Sequence, residues 1–546
     1  MKKSNLFTLM LFIAACIVTL NTTSANDKGK AAVVTFSKDI APIFNAKCVE
    51  CHRPGEAAPF STLTYKDARP WAKSIKEKVV SREMPPWHAD PHFGEWANDR
   101  RLSEVEIKTI VAWVDGGAVE GNPKDLPPAP KFADGWKIPT PDLVLTMDEE
   151  YVVAATGPDE YQYFDVPTNF TEDKYVQMAE ARPGNRKVVH HIIASIIPPG
   201  QPTLTNVKKE MRAKAIEMSL AGTPWYREGM MLRTKKDTPV YDNSADIPGK
   251  LRGFNDVNGF LAAYAPGRNP DVWRPGTAKK IPAGATIRIQ VHYSKVAGAE
   301  QKDRSMVGLI FTNGKPQKTL AACAIANMFF KIPAHTEKHR VTAEWTAWRD
   351  TTLYSVTPHM HYRGAAMEYK VTYPDGKSEI LLNVPNYSFA WQSSYIFKTP
   401  KLLPKGSKVT VTGYFNNSPK NKFNPDPSQE VRFGEPTYDE MMMGFIDYVS
   451  EWPAPAPVDP QVLDEYVGKY DLGQGNVFTI VREGDKLIAI ASSVKIRFEL
   501  QPIGKDKFRL LNAEIENELT IIRNDKGEVV ALHFESGRSS SRARKL

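Results

Sequence analysis

Two proline-rich stretches divide the 546-residue chain into three blocks with different residue patterns. The first stretch, Glu120 to Pro141, contains six prolines, and the second, Trp452 to Pro460, reads WPAPAPVDP. Proline-rich segments are extended and stiff, so they serve as spacers between folded regions. We therefore predict linkers at 120–141 and 452–460, and folded blocks at 33–119, 142–451 and 461–546.

The residue composition is that of a globular protein, and it excludes some classes of protein without identifying a function. The apolar fraction of 42% and the charged fraction of 25% are ordinary for a globular protein. The net charge of +8 is spread along the chain and forms no basic stripe, so we predict no nucleic-acid partner. No apolar run after residue 25 is long enough to span a membrane.

The N-terminus has the pattern of a secretory signal. A basic start is followed by the apolar stretch LFTLMLFIAACIVTL and then by small residues, and we place cleavage after Ala25. Residues 1–25 are thus predicted to direct the protein to the periplasm or another extracytoplasmic compartment. Anchoring as a lipoprotein at Cys16 is the alternative, but the apolar residues after Cys16 argue against it.

The first block is predicted to be helical. Ser103 and Glu106 form a capping box, apolar residues follow at helical spacing over 107–114, and Gly116-Gly117 ends the pattern. The block also contains Cys48-Val49-Glu50-Cys51-His52, a C-x-x-C-H motif.

Two thiols at this spacing add to the vinyl groups of haem, and the adjacent histidine reaches the iron. A zinc site would need two more Cys or His ligands at suitable spacing. We predict one covalent c-type haem bound by Cys48, Cys51 and His52.

A sixth iron ligand is expected downstream of this motif. Met84, in the sequence MPPW, is favoured because two prolines fix the backbone beside it, and His88 and His92 are the alternatives. With CVECH and MPPW, the block resembles a small class I cytochrome c. The resemblance implies a small all-α cytochrome c domain over 33–119 that carries electrons.

The middle block is predicted to be β-rich, because short runs such as TIRIQVHYS and KVTVTGYF alternate with turn residues. Five of its histidines fall into three motifs: His190-His191, His292, and His359-x-His361. Residues i and i+2 of a strand share a face, so His359 and His361 can bind one ion. His190 and His191 point to opposite faces of an ideal strand, so their sharing of an ion requires an irregular strand.

The order HH, HY, HxH and a downstream EM resembles the type II copper, ascorbate-dependent monooxygenases, which include the peptidylglycine α-hydroxylating and dopamine β-hydroxylating enzymes. The resemblance implies two jelly-roll-like β-sandwich domains, here 142–300 and 301–451, with one copper each across a solvent-filled cleft. It assigns the electron-transfer copper to His190, His191 and His292. It assigns the catalytic, oxygen-binding copper to His359, His361 and Met441, with Met442 and Met443 as adjacent alternatives to Met441.

The chain departs from peptide-amidating members of that family. Thr357 stands where they carry an arginine for the substrate carboxylate, and Met443 and Phe445 stand where they carry asparagine and tyrosine. The expected enzyme therefore hydroxylates a C–H bond of an unidentified small or apolar substrate with O2. Its electrons come from the haem, which a periplasmic electron donor or a small reductant refills.

Two further predictions concern an alternative function and the C-terminal block. The alternative function is a non-enzymatic periplasmic haem–copper protein for electron transfer or redox sensing. The last block, 461–546, alternates apolar and polar residues and is predicted to form a small antiparallel β domain. It resembles a small domain of unknown function appended to some periplasmic serine hydrolases.

Overall fold

The computed structural model of the chain describes most residues after 32. The described residues are 33–56, 58–132, 135–157, 159–200, 203, 225–228, 231–247, 259–265, 268–295, 298–473, 475–492, 496–511, 517–536 and 540–546. The predicted signal segment 1–25 and Cys16 lie outside them.

The chain divides into two compact units, of which the first is the smaller and helical. It consists of residues up to 54, 58–82 and 102–129. Its helices are α1 (Ala41–Lys47), α2 (Tyr65–Ala68), α3 (Ala72–Val80) and α4 (Glu104–Asp115), preceded by a π-helical turn at Phe36–Ile40. The capping box of Ser103 and Glu106 at the start of α4 is confirmed, and α4 ends at Asp115 before Gly116. Phe44 packs edge-on against Trp113, with the ring centroids 6.2 Å apart, in the core of this unit.

The prediction of a separate all-α cytochrome c domain over 33–119 was wrong. Strands make up 43% of the chain and helices only 12%, and the helices of this block are short. Residues 83–101, inside the predicted domain, belong to the second unit. The backbone N–H of Ala97 donates to the carbonyl of Ile396, and the N–H of Asp90 donates to that of Asn383, both at 2.8 Å. This segment takes its hydrogen-bond partners from distant strands, so the block does not close on itself.

Every strand among the described residues belongs to the second unit. Those before the second proline-rich stretch are β1 (Leu143–Thr146), β2 (Tyr151–Val153), β3 (Glu160–Pro167), β4 (Lys174–Arg182), β5 (Val189–Ile197), β6 (Trp225–Glu228), β7 (Met231–Thr234), β8 (Phe260–Tyr264), β9 (Asp271–Val272), β10 (Thr277–Ile281), β11 (Thr286–Tyr293), β12 (Gln301–Asp303), β13 (Met306–Phe311), β14 (Lys318–Ala326), β15 (Lys331–Ile332), β16 (His339–Thr346), β17 (Thr351–His359), β18 (Gly364–Thr372), β19 (Ser378–Val384), β20 (Tyr395–Leu403), β21 (Lys408–Phe415), β22 (Val431–Arg432) and β23 (Met443–Ser450).

One nine-stranded sheet contains strands from both predicted sandwiches, 142–300 and 301–451. Its order is β1-β13-β4-β10-β14-β23-β17-β20, with β9 paired to β4. The connection is made by β10, which runs parallel to β14, and by β14, which is antiparallel to β23. Strand β13 follows the predicted boundary at 300 but pairs with β1 and β4 of the first half.

Two four-stranded sheets and three two-stranded sheets, β12-β2, β15-β22 and β6-β7, complete the described part of this β region. The sheet β3-β11-β5-β8 contributes Ile192 and Ile289 to a core that also contains Val176 of β4. The sheet β16-β21-β18-β19 contributes Val411 to a second core, shared with Val356 of β17. Strands β5, β11, β17 and β23 carry or adjoin the histidine and methionine motifs, so these sheets position the candidate site.

The last block begins with the short helix α5 (Pro460–Tyr466), and the strands that follow form a closed eight-stranded antiparallel barrel. Its strands are β24 (Gly468–Gly473), β25 (Asn476–Glu483), β26 (Lys486–Ala491), β27 (Ile496–Gly504), β28 (Lys507–Leu511), β29 (Asn517–Arg523), β30 (Val529–Ser536) and β31 (Ser540–Lys545). Within the described part of the chain, no helix has the length and apolar character needed to cross a membrane.

Candidate metal centres

His190, His191 and His292 converge in the second unit. The Nδ1 atoms of His190 and His191 are 3.5 Å apart, and those of His191 and His292 are 3.3 Å apart. One ligand atom from each of the three residues lies within 4.8 Å of the others. Imidazole nitrogens that share one ion at ~2.0–2.1 Å in a trigonal or tetrahedral arrangement are ~3.3–3.6 Å apart. The residues present therefore fit a three-histidine metal site bound through Nδ1.

A β-bulge explains how two consecutive histidines serve one site. His191 of β5 lies opposite His292 of β11, but the next pair is Val189 opposite Tyr293. His190 is therefore the extra residue of the bulge and faces no single partner on β11. A bulge bends the strand and re-aims its side chains. This irregularity removes the geometric objection that an ideal strand raises.

Groups around the three histidines fix their orientation. The Nε2 of His292 lies 2.8 Å from a carboxylate oxygen of Asp159, and its ring stacks on Tyr161 with centroids 4.2 Å apart. An imidazole that donates one nitrogen to a carboxylate offers the other as a more basic ligand. Asp159 gave no signal in the sequence, because it lies 133 residues from His292. Burial acts to raise the pKa of Asp159, but the hydrogen bonds from His292 and Ser294, together with the charges of His292 and His190, lower the pKa overall.

His359 and His361 form a second cluster at the end of β17. Their rings are 5.3 Å apart and nearly perpendicular, at 88°. The Nδ1 of His359 lies 2.6 Å from the side-chain oxygen of Gln392, and the Nδ1 of His361 lies 3.2 Å from the backbone carbonyl of Asp439. Both Nδ1 atoms thus have acceptors that hold the N–H tautomer there, which leaves the Nε2 atoms as ligands.

Glu440 joins the His361 turn to the segment before β23. Its carboxylate accepts hydrogen bonds from the backbone N–H of His361, at 2.8 Å, and of Arg363. Glu440 is fully buried, and burial raises its pKa to about 8 although the N–H donors favour the charged form. The acidic residue before Met441 was visible in the sequence, but its role as a brace between two segments was not.

The three methionines that follow Glu440 have different environments. Met442 and Met443 are buried in the core, with Met442 fully inaccessible, and Met443 pairs across strands with His359. Met441 is only partly buried and packs against the edge of the same core. Met441 is the most exposed of the three, whereas Met442 and Met443 fill the interior as core methionines do.

An aromatic ring and a cavity each adjoin residues of both clusters. The ring of Phe389 stacks on His190, with centroids 5.3 Å apart, and contacts His361 edge-on at 5.8 Å. A cavity of about 70 Å³ is lined by both His191 and His359. Where the family resemblance implies a solvent-filled cleft between the sites, a single aromatic ring here contacts one histidine of each cluster.

Burial favours the neutral form of four histidines in the two clusters, His190, His191, His359 and His361. Burial lowers the pKa of His190 to about 4, with a further contribution from the charge of His292. Burial also lowers the pKa of His359, and it holds the pKa of His191 and His361 well below the usual range. Neutral imidazole is the form that binds metal, so both clusters are ready to bind at neutral pH.

Cys48, Cys51 and His52 lie just after α1 in the first unit, and neither cysteine forms a disulfide with a described residue. The Nδ1 of His52 lies 3.1 Å from the carbonyl oxygen of Phe60, which holds the N–H at Nδ1 and leaves Nε2 for a metal. Burial raises the pKa of the Cys48 thiol to about 12, so this thiol lacks the low pKa of a redox-active cysteine. These residues fit the attachment of a haem through two sulfurs and one imidazole nitrogen.

The candidates for the sixth haem ligand belong to the second unit, in the segment 83–101. Met84 is partly buried, and burial lowers the pKa of His88. His92 is exposed and pairs with Asp90 at 2.7 Å. The choice among Met84, His88 and His92 stays a prediction.

Comparisons with known proteins add little to this site. No protein-family model matches the chain, and no curated protein matches it. A solved structure of SurE aligns with a TM-score of 0.16 and 15% identity over 26% of this chain, which spans 29% of the SurE chain. The major capsid protein P2 of bacteriophage PM2 aligns with a TM-score of 0.22 and 7% identity, covering 58% of this chain and 99% of that protein. Neither alignment is close enough to support an argument about fold or function.

Proposed function

We propose that this protein is a haem- and copper-dependent monooxygenase of the periplasm, which hydroxylates a C–H bond of a small apolar substrate with O2. The observation that carries the proposal is that one histidine of each cluster, His191 and His359, lines the same cavity. One cluster presents converging Nδ1 atoms and the other presents Nε2 atoms. Two clusters of different geometry suit two metal ions with different tasks.

His190, His191 and His292 would hold the electron-transfer copper, and His359, His361 and Met441 would hold the copper that meets O2. Copper supplies one-electron redox chemistry at both sites, and a thioether ligand at the second favours Cu(I). Asp159 orients His292, and Gln392 orients His359. These hydrogen bonds fix the orientation of the histidine rings, so the nitrogens that would bind copper are in position before a metal binds.

The reaction requires two electrons: the substrate C–H, O2, two electrons and two protons give C–OH and water. The cavity wall beside His191 and His359 includes Phe260, Phe445 and Ile446. Apolar walls exclude bulk water, and a site without bulk water suffers fewer side reactions of the reactive oxygen species. The same walls favour an apolar substrate over a peptide carboxylate.

Cys48, Cys51 and His52 would carry the haem that passes electrons singly to the first copper site. The Phe60 carbonyl holds His52 in the tautomer that iron ligation requires. A periplasmic electron donor or a small diffusible reductant would refill the haem. No role is assigned to the terminal barrel.

The direct test exposes copper-loaded, full-length protein to ¹⁸O2 with a reductant and a library of small apolar compounds. A product that carries one ¹⁸O atom, formed by the wild type and by His339→Ala but not by His359→Ala, is expected. His339 is the matched control because it pairs with Asp242 at 3.2 Å and lies outside both clusters. Reversible reduction of haem and copper without any labelled product would instead favour the electron-transfer or redox-sensing alternative.

A further inference from the structure

Arg268, on the wall of the cavity that His191 and His359 also line, has an unused hydrogen-bond donor. Its side chain is only 7% exposed, and its Nε has no hydrogen-bond partner among the described residues. A buried donor without an acceptor is costly, and most buried polar groups are paired. This donor therefore points to a ligand that the protein alone does not provide.

A second arginine of the same unit shows the usual arrangement. In the pair of Arg288 and Asp165, Nε and Nη2 each donate to one carboxylate oxygen at 2.7 Å. Arg268 donates to Asp271 through Nη2 alone, at 2.8 Å. The other oxygen of Asp271 accepts the backbone N–H of Ala263 at 3.2 Å. Arg268 thus donates to Asp271 through one nitrogen only, and its Nε, which would complete a bidentate pair, has no acceptor in the described part of the chain.

The charges near the cavity balance one another. Arg268 is neutralised by Asp271, and Asp447, on the cavity wall, is paired with Lys279 at 2.9 Å. Because Asp271 already neutralises Arg268, an anionic acceptor at the Nε would bring an unbalanced negative charge into a buried site, which is unfavourable. An uncharged oxygen, such as that of a ketone or amide, avoids this cost.

We propose that this cavity binds an uncharged small molecule with an apolar body and a carbonyl-type oxygen, which accepts a hydrogen bond from the Arg268 Nε. The inference rests on the proposed function, since it names the class of substrate for the same site. Phe260 and Phe445, whose ring centroids are 5.7 Å apart, provide an apolar wall for the body of the molecule.

The test measures binding rather than turnover, on full-length, copper-loaded protein kept reduced and free of O2. Three probes of similar shape are compared by ligand-observed NMR: acetophenone, ethylbenzene and benzoate. Acetophenone should bind about tenfold more tightly than ethylbenzene, because one hydrogen bond to a charged donor is satisfied. Benzoate should bind no better than ethylbenzene.

Arg268→Lys keeps a positive charge beside Asp271 but removes the Nε. It should reduce the preference for acetophenone to within about twofold while ethylbenzene binding stays unchanged. The double variant Arg268→Met with Asp271→Asn removes the whole ion pair and should have the same effect, which covers a folding failure of either variant. Cooperative thermal unfolding confirms that each variant is folded.

Equal binding of all three probes, tighter binding of benzoate, or a preference that survives both variants would overturn the proposal. The outcome is separable from that of the oxygen-labelling test. Labelled product without the acetophenone preference would reject only the substrate class. The preference without labelled product would leave a binding cavity and reject the oxygen chemistry.

Discussion

His190 and His191 are consecutive in the chain, yet their Nδ1 atoms lie 3.5 Å apart on the same side of β5. They do so because His190 is the extra residue of a β-bulge opposite His292 and Tyr293. The bulge brings together two side chains that would diverge in a regular strand, so that both can bind one ion. The first candidate copper site therefore depends on the backbone as much as on the choice of residues.

The carboxylate of Asp159 should tune this site through His292. Asp159→Asn removes the charge but keeps the shape, and we expect copper affinity at the three-histidine site to fall ~10–100-fold. The reduction potential of that copper should also shift, which a purely structural role would not cause. The measurement is a competitive chelator titration with redox titration, and the exposed Asp148→Asn serves as the control. Unchanged affinity and potential would remove Asp159 from the site.

The methionines after Glu440 should separate into one ligand and two core residues. Met441→Ala should abolish Cu(I) binding at the second site with little effect on the free energy of unfolding, because Met441 is only partly buried. Met442→Ala should retain the copper but destabilise the fold by ~2–5 kcal/mol, since its side chain is inaccessible. Cu(I) titration and urea unfolding distinguish them. Loss of Cu(I) in Met442→Ala, but not in Met441→Ala, would show that the ligand is misassigned.

In the metal-free protein, His190 should contribute a loss of stability as the pH falls through the range in which unfolded histidine titrates. The pKa of His190 is lowered from 6.5 to about 4 by burial. Between these values the unfolded chain binds the proton and the folded chain does not, so unfolding is favoured progressively as pH drops from 6.5 towards 4. The pKa of Glu440, raised to about 8 by burial, acts in the opposite direction between 4.5 and 8.

Urea unfolding of the metal-free wild type and of His190→Asn at several pH values isolates the histidine contribution. The wild type should lose more stability than the variant between pH 6.5 and pH 4. If the two proteins follow parallel pH profiles, His190 is not held neutral by the fold.

The haem should be covalently bound. Acid–acetone extraction of the mature protein should leave haem attached to wild type and to Cys323→Ala, whose thiol is buried in β14. Cys48→Ser and Cys51→Ser should each lose one thioether bond, visible as a shift of the reduced haem α-band. Complete release of haem from the wild type, or zinc in its place, would reject the assignment of Cys48, Cys51 and His52.

Residue type and order identified the candidate ligands, but their convergence could not be predicted from the sequence. His190 reaches the site only because β5 pairs irregularly with β11, about a hundred residues further on. Asp159 and Gln392 carry no spacing signal because their partners are distant in the chain. Local patterns specify which side chains are available, whereas strand pairing decides which of them meet.

The errors in the predicted fold also arise from contacts between residues that are distant in the sequence. The helical periodicity of α4 and its capping box are local, and they were predicted correctly. The segment 83–101 was assigned to a self-contained helical domain, but Asn98 donates its side-chain N–H to the carbonyl of Ser394, 296 residues away. The parallel pairing of β10 with β14 links strands from the two predicted sandwiches. Pairing over such separations leaves no trace in periodicity.

The most direct test of the account is the metal content of purified, copper-reconstituted protein and of two single variants. Elemental analysis should give two copper atoms per iron in the wild type and one in His292→Ala and in His359→Ala. Electron paramagnetic resonance of the oxidised variants should show a different remaining copper signal in each. One copper or none in the wild type, zinc in both sites, or loss of both coppers from either variant would contradict two separate copper sites beside one haem.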